Sequence, residues 1–442
     1  MPAKRPVRLG RASWVPQSEC FMSIPSETMR PPAAPGRHLP AVLIIIAGCV
    51  IAMITFGPRS VFGLFLVPMS SDLGWGRDVF GLAVALQNLL WGLGSPFAGA
   101  VADRFGTVRV LCAGALLYAA GLILMAYATT PAMLQISAGV LVGFGLSAAS
   151  FNLVLAAFGK LLPDRLKGLG FGAATAAGSF GQFLFPPLTT GLIDSVGWQE
   201  TLIVFGFAML VVMPFSIALA TRGMRAGAPG AAAAPALPQQ SVAGALSEAF
   251  RHRSYVLLVL GFFTCGFQLA FITVHMPAFL VDRGIGLSVG AATLALIGLF
   301  NIIGSIAAGY LTARVSRKYL LAWIYAGRGV AIAVFIMLPV TPLSCYVFGA
   351  AMGLLWLSTV PPTSSLVMLM FGTRYMAMLY GFAFFSHQVG GFLGVYLGGE
   401  LYEAVGSYDL IWWLSVALSF ASAAINLPIR EEPVHRPVVS VA

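Results

Sequence analysis

Charge is what this sequence has least of. Only 9% of its 442 residues are Asp, Glu, Lys or Arg, and only 15 are acidic, against roughly 25% charged in a soluble domain. That scarcity excludes a soluble globular chain, and an apolar content of 59% excludes a disordered one. A mean hydropathy of +0.90 leaves too little polar surface to coat a ball of this size, so part of the solvent is lipid. Cysteine is also sparse. Five residues with no Cys-x-x-Cys pair and no His at ligand spacing exclude a disulfide framework and a metal centre. Four of the five fall in or beside apolar runs, where free Cys acts as a small hydrophobe. No cofactor motif is present. The Gly-rich runs at 169–178 and 390–399 lack the Lys-Ser/Thr ending of a phosphate loop and lie inside apolar runs, so they read as close helix packing. Residues 1–39 are basic and Pro-rich without an apolar core, which excludes a cleavable signal peptide and predicts a disordered tail, with Met22 and Met29 as alternative starts.

What is present is a series of apolar runs. They fall at about 41–68, 79–101, 108–128, 132–158, 168–192 and 200–221, then 254–281, 288–312, 319–339, 343–370, 375–399 and 408–427. A span needs about 20 apolar residues, so twelve transmembrane helices are predicted. Two groups of six, 40–221 and 254–427, flank a linker at 222–253 that is rich in Gly, Ala and Pro; 428–442 form a C-terminal tail.

The net charge of +10 does not mark a nucleic-acid binder, because the basic residues lie in short tufts between spans and form no continuous face. They serve instead as a topological signal. With both termini placed in the cytoplasm, all but four of the 25 Lys and Arg fall on that side. Arg77 and Arg283 face outward, and Arg59 and Arg328 are left inside spans.

The two halves repeat. Gly99-Ala-Val-Ala-Asp103-Arg104-Phe-Gly106 recurs, degraded, 210 residues later as Gly309-Tyr-Leu-Thr-Ala313-Arg314-Val-Ser316. Leu192–Gly197 recurs 209 residues later as Leu401–Gly406, and Arg165 and Arg374 share that offset. An even number of spans separates the copies, so the repeats are parallel.

At these residues the chain resembles the major facilitator superfamily. Gly99-x-x-x-Asp103-Arg104-x-Gly106-x-x-Arg109 matches that superfamily's loop between helices 2 and 3, departing at Thr107 and Val108. The second copy supplies Gly309, Arg314 and Arg317 but lacks the acid and the second glycine. Gly57-Pro-Arg59-Ser-x-x-Gly63 with Gly74-Trp75 is similar to the bacterial oxalate–formate antiporter and monocarboxylate transporter branch. The resemblance implies an all-α integral membrane protein of two pseudo-symmetric six-helix bundles in a bacterial inner membrane, a monomer with no cofactor and no enzymatic activity. It also implies a conformational latch at Gly99, Asp103, Arg104, Gly106, Arg109, Gly309, Arg314 and Arg317. Gly99 is expected to allow close helix approach, and Asp103 to accept from a neighbouring helix start and pair with Arg104 or Arg109. A surface cluster that only orients the loop is the alternative.

The span interiors hold two cations and no carboxylate. A central Arg costs roughly 2.5–3.5 kcal/mol on insertion scales, and a planar guanidinium bonds a carboxylate bidentately. An economical partner is therefore an anionic substrate, a mono- or dicarboxylate. Arg59 follows Gly57-Pro58, which interrupts the helix; it either meets substrate or snorkels to headgroups. Arg328, about ten residues into the ninth run, either faces the cavity or bonds helix carbonyls. His275 and His387 offer donor, acceptor and proton-carrying chemistry, or simple interhelical bonds. Gln388, Gln87, Asn88, Asn152, Gln182, Gln268 and Asn301 complete the buried polar set, each a substrate contact or helix glue. Pro186-Pro187 and Pro361-Pro362 are expected to kink helices 5 and 10. The leading function is a transporter of a small organic anion by alternating access, with a proton or counter-anion as possible co-substrate. Efflux of amphipathic drugs through an apolar, aromatic cavity is the alternative.

Overall fold

The computed structural model describes residues 40–220, 241–372 and 375–434. The tails 1–39 and 435–442, linker residues 222–240 and Arg374 lie outside the described residues. What is described is helical, with no strand. Ten stretches are long and apolar enough to cross a bilayer. One of them, Arg165–Leu219, turns at Gly197, whose φ of +88° suits only glycine, and so comprises two spans. Met376–Val405 completes twelve.

In chain order the spans are α1 (Ala41–Leu73), α2 (Arg77–Phe105), α3 (Thr107–Ala126), α4 (Pro131–Leu161), α5 (164–196) and α6 (198–219). The second half comprises α7 (Arg253–Asp282), α8 (Leu287–Thr312), α9 (Arg317–Met337), α10 (Pro342–Phe371), α11 (Met376–Val405) and α12 (Asp409–Asn426). Each lies within a few residues of its apolar run. The repeat is visible in the backbone: Gly74 and Gly284 end α1 and α7 with φ of +66° and +74°, and Gly197 and Gly406 end α5 and α11 with +88° and +73°. The linker is not wholly irregular. Val242–Arg251 form a short helix, N-capped by Ser241, because Val242, Ala245, Leu246, Ala249 and Phe250 recur at helical spacing.

Three spans are discontinuous near the centre. α1 breaks at Ser60–Val61, just past Pro58 and Arg59, and the Ser60 hydroxyl bonds the Gly57 carbonyl at 2.6 Å. α4 breaks at Ala149–Ser150. α10 breaks over Trp356–Thr359, upstream of Pro361-Pro362, where two missing N–H donors leave the preceding turn unsupported. The Pro186-Pro187 pair differs from expectation: α5 keeps helical dihedrals there, and its departure is at Gly197.

The halves meet closely at the end remote from the basic loops. Within the second half, α7 and α11 pack backbone to backbone, since a Cβ on Gly266 would strike the His387 carbonyl and one on Gly390 the Phe263 carbonyl. That is the close packing expected of the Gly-rich run at 390–399. Across the halves, Arg77 of α2 bonds Asp282 of α7 bidentately at 2.6 and 2.7 Å, donates to the Tyr408 hydroxyl at 3.0 Å and lies 3.9 Å over the Tyr402 ring. At the basic end two ion pairs among the described residues each stay within one half: Lys160–Asp103 at 2.6 Å and Arg317–Glu431 at 3.4 Å.

Candidate functional site

Beside the breaks in α1, α4 and α10 lies a cavity of about 510 Å³ between the halves. It extends from Arg59 and Gln182 to Gly309 and Tyr310 in the last turn of α8, so it opens toward the basic end. Among the described residues that line it, Arg59 is the one charged side chain and none is acidic.

The α1 break sets Arg59 at the cavity's closed end. Its Nη2 donates to Asn88 Oδ1 at 3.3 Å, a long bond, and its guanidinium lies 4.3 Å over the Trp91 ring. Asn88 and Trp91 lie one turn apart on α2, which is why both reach it. Asn88 itself donates to the Val84 carbonyl at 2.8 Å. The Trp91 indole N–H is buried beside the cavity and has no protein acceptor. A polar chain then crosses to the second half: Gln388 Nε2 donates to the Asn88 carbonyl at 3.2 Å, and its Oε1 lies 2.9 Å from His387 Nδ1. The amide orientation makes Nδ1 the protonated nitrogen of the neutral ring, leaving Nε2 as an acceptor. His387 lines the cavity, stacked on Phe384 at 5.8 Å and tilted against Phe262 at 5.1 Å. Asn152 and Gln182 also line it.

The other sequence-chosen residues are placed elsewhere. Arg328 is fully buried behind the wall made by Trp356 and Leu357. Its Nε and Nη2 donate to the Leu355 carbonyl at 3.0 and 2.6 Å, and Nη2 also to the Trp356 carbonyl. In an unbroken α10 those carbonyls would receive the N–H groups of residues 359 and 360; the break removes these donors and Arg328 replaces them. His275 belongs to the sealed end. Its Nε2 donates to the Val395 carbonyl at 2.9 Å, so Nδ1 accepts from the Tyr408 hydroxyl at 3.2 Å, the same hydroxyl that accepts from Arg77. Gln87 ties α2 to the Ala138 carbonyl of α4 at 3.0 Å, and Gln268 ties α7 to Ser415 and Ser419 of α12.

The signature loop differs in its partners. Asp103 pairs with Lys160 of α4 rather than with Arg104 or Arg109, because consecutive helical residues diverge in direction and Arg104 lies over the Phe105 ring instead. Gly106 adopts φ of +94°, a conformation reserved for glycine, and Arg109 borders a shallow pocket with Phe105. A Cβ on Gly99 or on Gly309 would meet nothing within 4 Å, so neither glycine serves close packing in this arrangement. In the second copy Arg314 lies 4.0 Å from the Tyr310 ring centroid, and Arg317 Nε donates to Ser365 Oγ at 2.7 Å. The acid missing from that copy arrives from the far end of the chain. Glu431 accepts from Ser316 Oγ at 2.6 Å and Lys318 N at 2.8 Å, capping α9. Sequence reasoning missed Trp91 and Glu431. The spacing of Trp91 from Asn88 was a usable signal, whereas nothing local marks Glu431.

Residues 48–395 match the family model of the Major Facilitator Superfamily. Over 375 residues the chain is 28% identical to YcxA of Bacillus subtilis (strain 168), an uncharacterized MFS-type transporter, covering 84% of this chain and 90% of that one. It is 25% identical over 401 residues to monocarboxylate transporter 13 of Rattus norvegicus, covering 88% of each. Among solved structures, the D-xylose-proton symporter superposes with a TM-score of 0.68 at 14% identity, over 88% of this chain and 98% of that one. A bacterial homolog of the human lysosomal transporter Spinster, in an inward-facing, unoccupied conformation, gives the same score at 15% identity and the same coverage.

Proposed function

The chain belongs to the Major Facilitator Superfamily and is a multi-pass membrane transporter; from that premise we propose that its cargo is an organic carboxylate held by Arg59. The observation that carries this reading is the lone guanidinium among the described residues that line an acid-free cavity, with one long hydrogen bond to Asn88 and the Trp91 ring under it. A carboxylate there would gain charge-assisted bonds that no protein group supplies. The similarity to a monocarboxylate transporter agrees with it.

In the proposed cycle the cavity fills from the basic end, which the positive-inside asymmetry makes cytoplasmic. The two six-helix halves then rock, closing that end and parting Arg77 from Asp282. Gly99 and Gly309, with open space beside them here, are candidates for contact in the other arrangement, and the Asp103 and Arg317 clusters for its latch. With no acid at the cavity, a coupled proton would ride on the substrate or on His387 Nε2, and exchange for a second anion needs neither. Arg328 acts on this reading as the support of the α10 break.

Counterflow in proteoliposomes tests the reading. Radiolabelled mono- and dicarboxylates are offered to wild type, Arg59→Ala and Arg59→Lys, each checked for folding by gel filtration. Loss of exchange in Arg59→Ala with partial retention in Arg59→Lys is expected, and undiminished exchange in a folded Arg59→Ala overturns the assignment. The aromatic lining favours a second reading, export of an amphipathic compound by the same cycle. Inverted vesicles that accumulate such a compound independently of Arg59 would establish it instead.

A further inference from the structure

The cavity holds one positive group and an extended aromatic wall, and their relative placement defines what kind of anion fits. From Arg59 the wall runs through Trp91 to Phe384, ring centroids 5.3 Å apart in an edge-to-face pair, and on to His387, stacked 5.8 Å further. Phe262 and Tyr380 continue it, 6.3 Å apart. The wall begins at the first half and ends on the second, so a molecule lying along it touches both. The buried Trp91 N–H, without a protein acceptor, stands beside the guanidinium that covers the same ring.

We infer that the substrate is a monocarboxylate with a bulky aromatic body, its carboxylate on Arg59 and Trp91 and its ring along Phe384 and His387. This rests on the carboxylate reading above and narrows it by two arguments. The first is size. The cavity's 510 Å³ falls within the range of about 300–1,000 Å³ typical of pockets that enclose a drug-sized ligand, and a three-carbon acid would leave most of the aromatic wall uncontacted. An arylalkanoate places a ring against faces that favour offset or edge-to-face partners. The second is charge. A dicarboxylate would set its second anion against aromatic faces, whose quadrupole is negative, with no second cation among the lining residues. That anion would lose its hydration without compensation.

The test is counterflow in proteoliposomes with three labelled acids: 3-phenylpropanoate, lactate and succinate. For wild type the KM for 3-phenylpropanoate is expected to be at least tenfold below that for lactate, with no saturable succinate exchange. Phe384→Leu keeps the apolar volume but removes the ring, and is expected to raise the 3-phenylpropanoate KM about fivefold to tenfold while leaving lactate exchange within twofold. Trp91→Phe keeps the ring and removes the N–H, and is expected to weaken both monocarboxylates alike. Lactate or succinate preferred over 3-phenylpropanoate, with exchange still abolished by Arg59→Ala, overturns the aromatic class and leaves the carboxylate reading standing. Equal exchange of 3-phenylpropanoate by folded wild type and Arg59→Ala, or failure of all three acids to exchange, overturns both.

Discussion

Removing Asp282 should open the end of the protein that is sealed here. Arg77 and Asp282 join the halves through two bonds of 2.6 and 2.7 Å, and their side chains are 14% and 29% exposed. Hydrogen bonds to charged groups contribute about 1.5–3 kcal/mol when buried, and exposed pairs about 0.2–1 kcal/mol. This pair lies between those limits. In Asp282→Ala, Arg77 retains the Tyr408 hydroxyl and the Tyr402 ring, so its charge is not left wholly unsupported. A net loss of about 2 kcal/mol from the sealed arrangement follows, a shift of about 30-fold in the ratio of the two arrangements. Spin labels on exposed Ser71 of α1 and Ser288 of α8, in a background without reactive cysteine, would report it as a longer-distance population in electron paramagnetic resonance. The charge swap Arg77→Asp with Asp282→Arg should restore much of the short-distance population. An unchanged distance distribution in Asp282→Ala would refute the claim that this pair holds the halves together.

Arg328→Ala should lower the melting temperature in detergent, because the Leu355 and Trp356 carbonyls lose their buried donors at about 1–3 kcal/mol; Arg328→Lys should recover part of the loss. Unaltered stability with lost uptake would instead place Arg328 in substrate handling. Gly390→Ala should destabilise or prevent folding, since its Cβ meets the Phe263 backbone carbonyl, and a wild-type melting temperature would contradict the close α7–α11 contact. Glu431→Ala removes the carboxylate that caps α9 and should cost about 1 kcal/mol, read by thermal unfolding, with Glu431→Asp as the partial rescue.

The architecture was legible because a bilayer imposes span length and because the halves share their turns. Apolar runs located every span within a few residues, and the repeat that pairs Leu192–Gly197 with Leu401–Gly406 ends in two glycines of positive φ. Helix breaks were partly legible. Gly57-Pro58 marked the α1 break, and Pro361-Pro362 the neighbourhood of the α10 break, yet Pro186-Pro187 left α5 helical. A proline removes a donor and crowds the preceding turn, but whether the helix yields depends on what packs there. Cross-half pairing was illegible. Arg77 reads as a lone basic residue of an outer loop until the fold brings Asp282, 205 residues away, within 2.6 Å.

The two buried arginines show most plainly what composition can and cannot decide. Counting acids established that neither has a carboxylate partner inside the spans, and that holds at the cavity. The same count treats main-chain oxygen as already occupied, which is true only of continuous helix. Where α10 unwinds, the Leu355 and Trp356 carbonyls become the anionic ends of uncompensated dipoles, and Arg328 sits on them. Where α1 unwinds, Ser60 takes the freed Gly57 carbonyl, so Arg59 is left with Asn88 and an aromatic face. One break therefore consumes its cation and the other releases it. The difference lies at Ser60, whose backbone N–H at 3.0 Å and hydroxyl at 2.6 Å both take the Gly57 carbonyl, and Ser60→Ala offers a direct check: with the hydroxyl gone, that carbonyl regains a lone pair that can compete for Arg59. The expected result is weaker substrate exchange at unchanged gel-filtration behaviour, and exchange identical to wild type would show that Ser60 has no part in keeping Arg59 available.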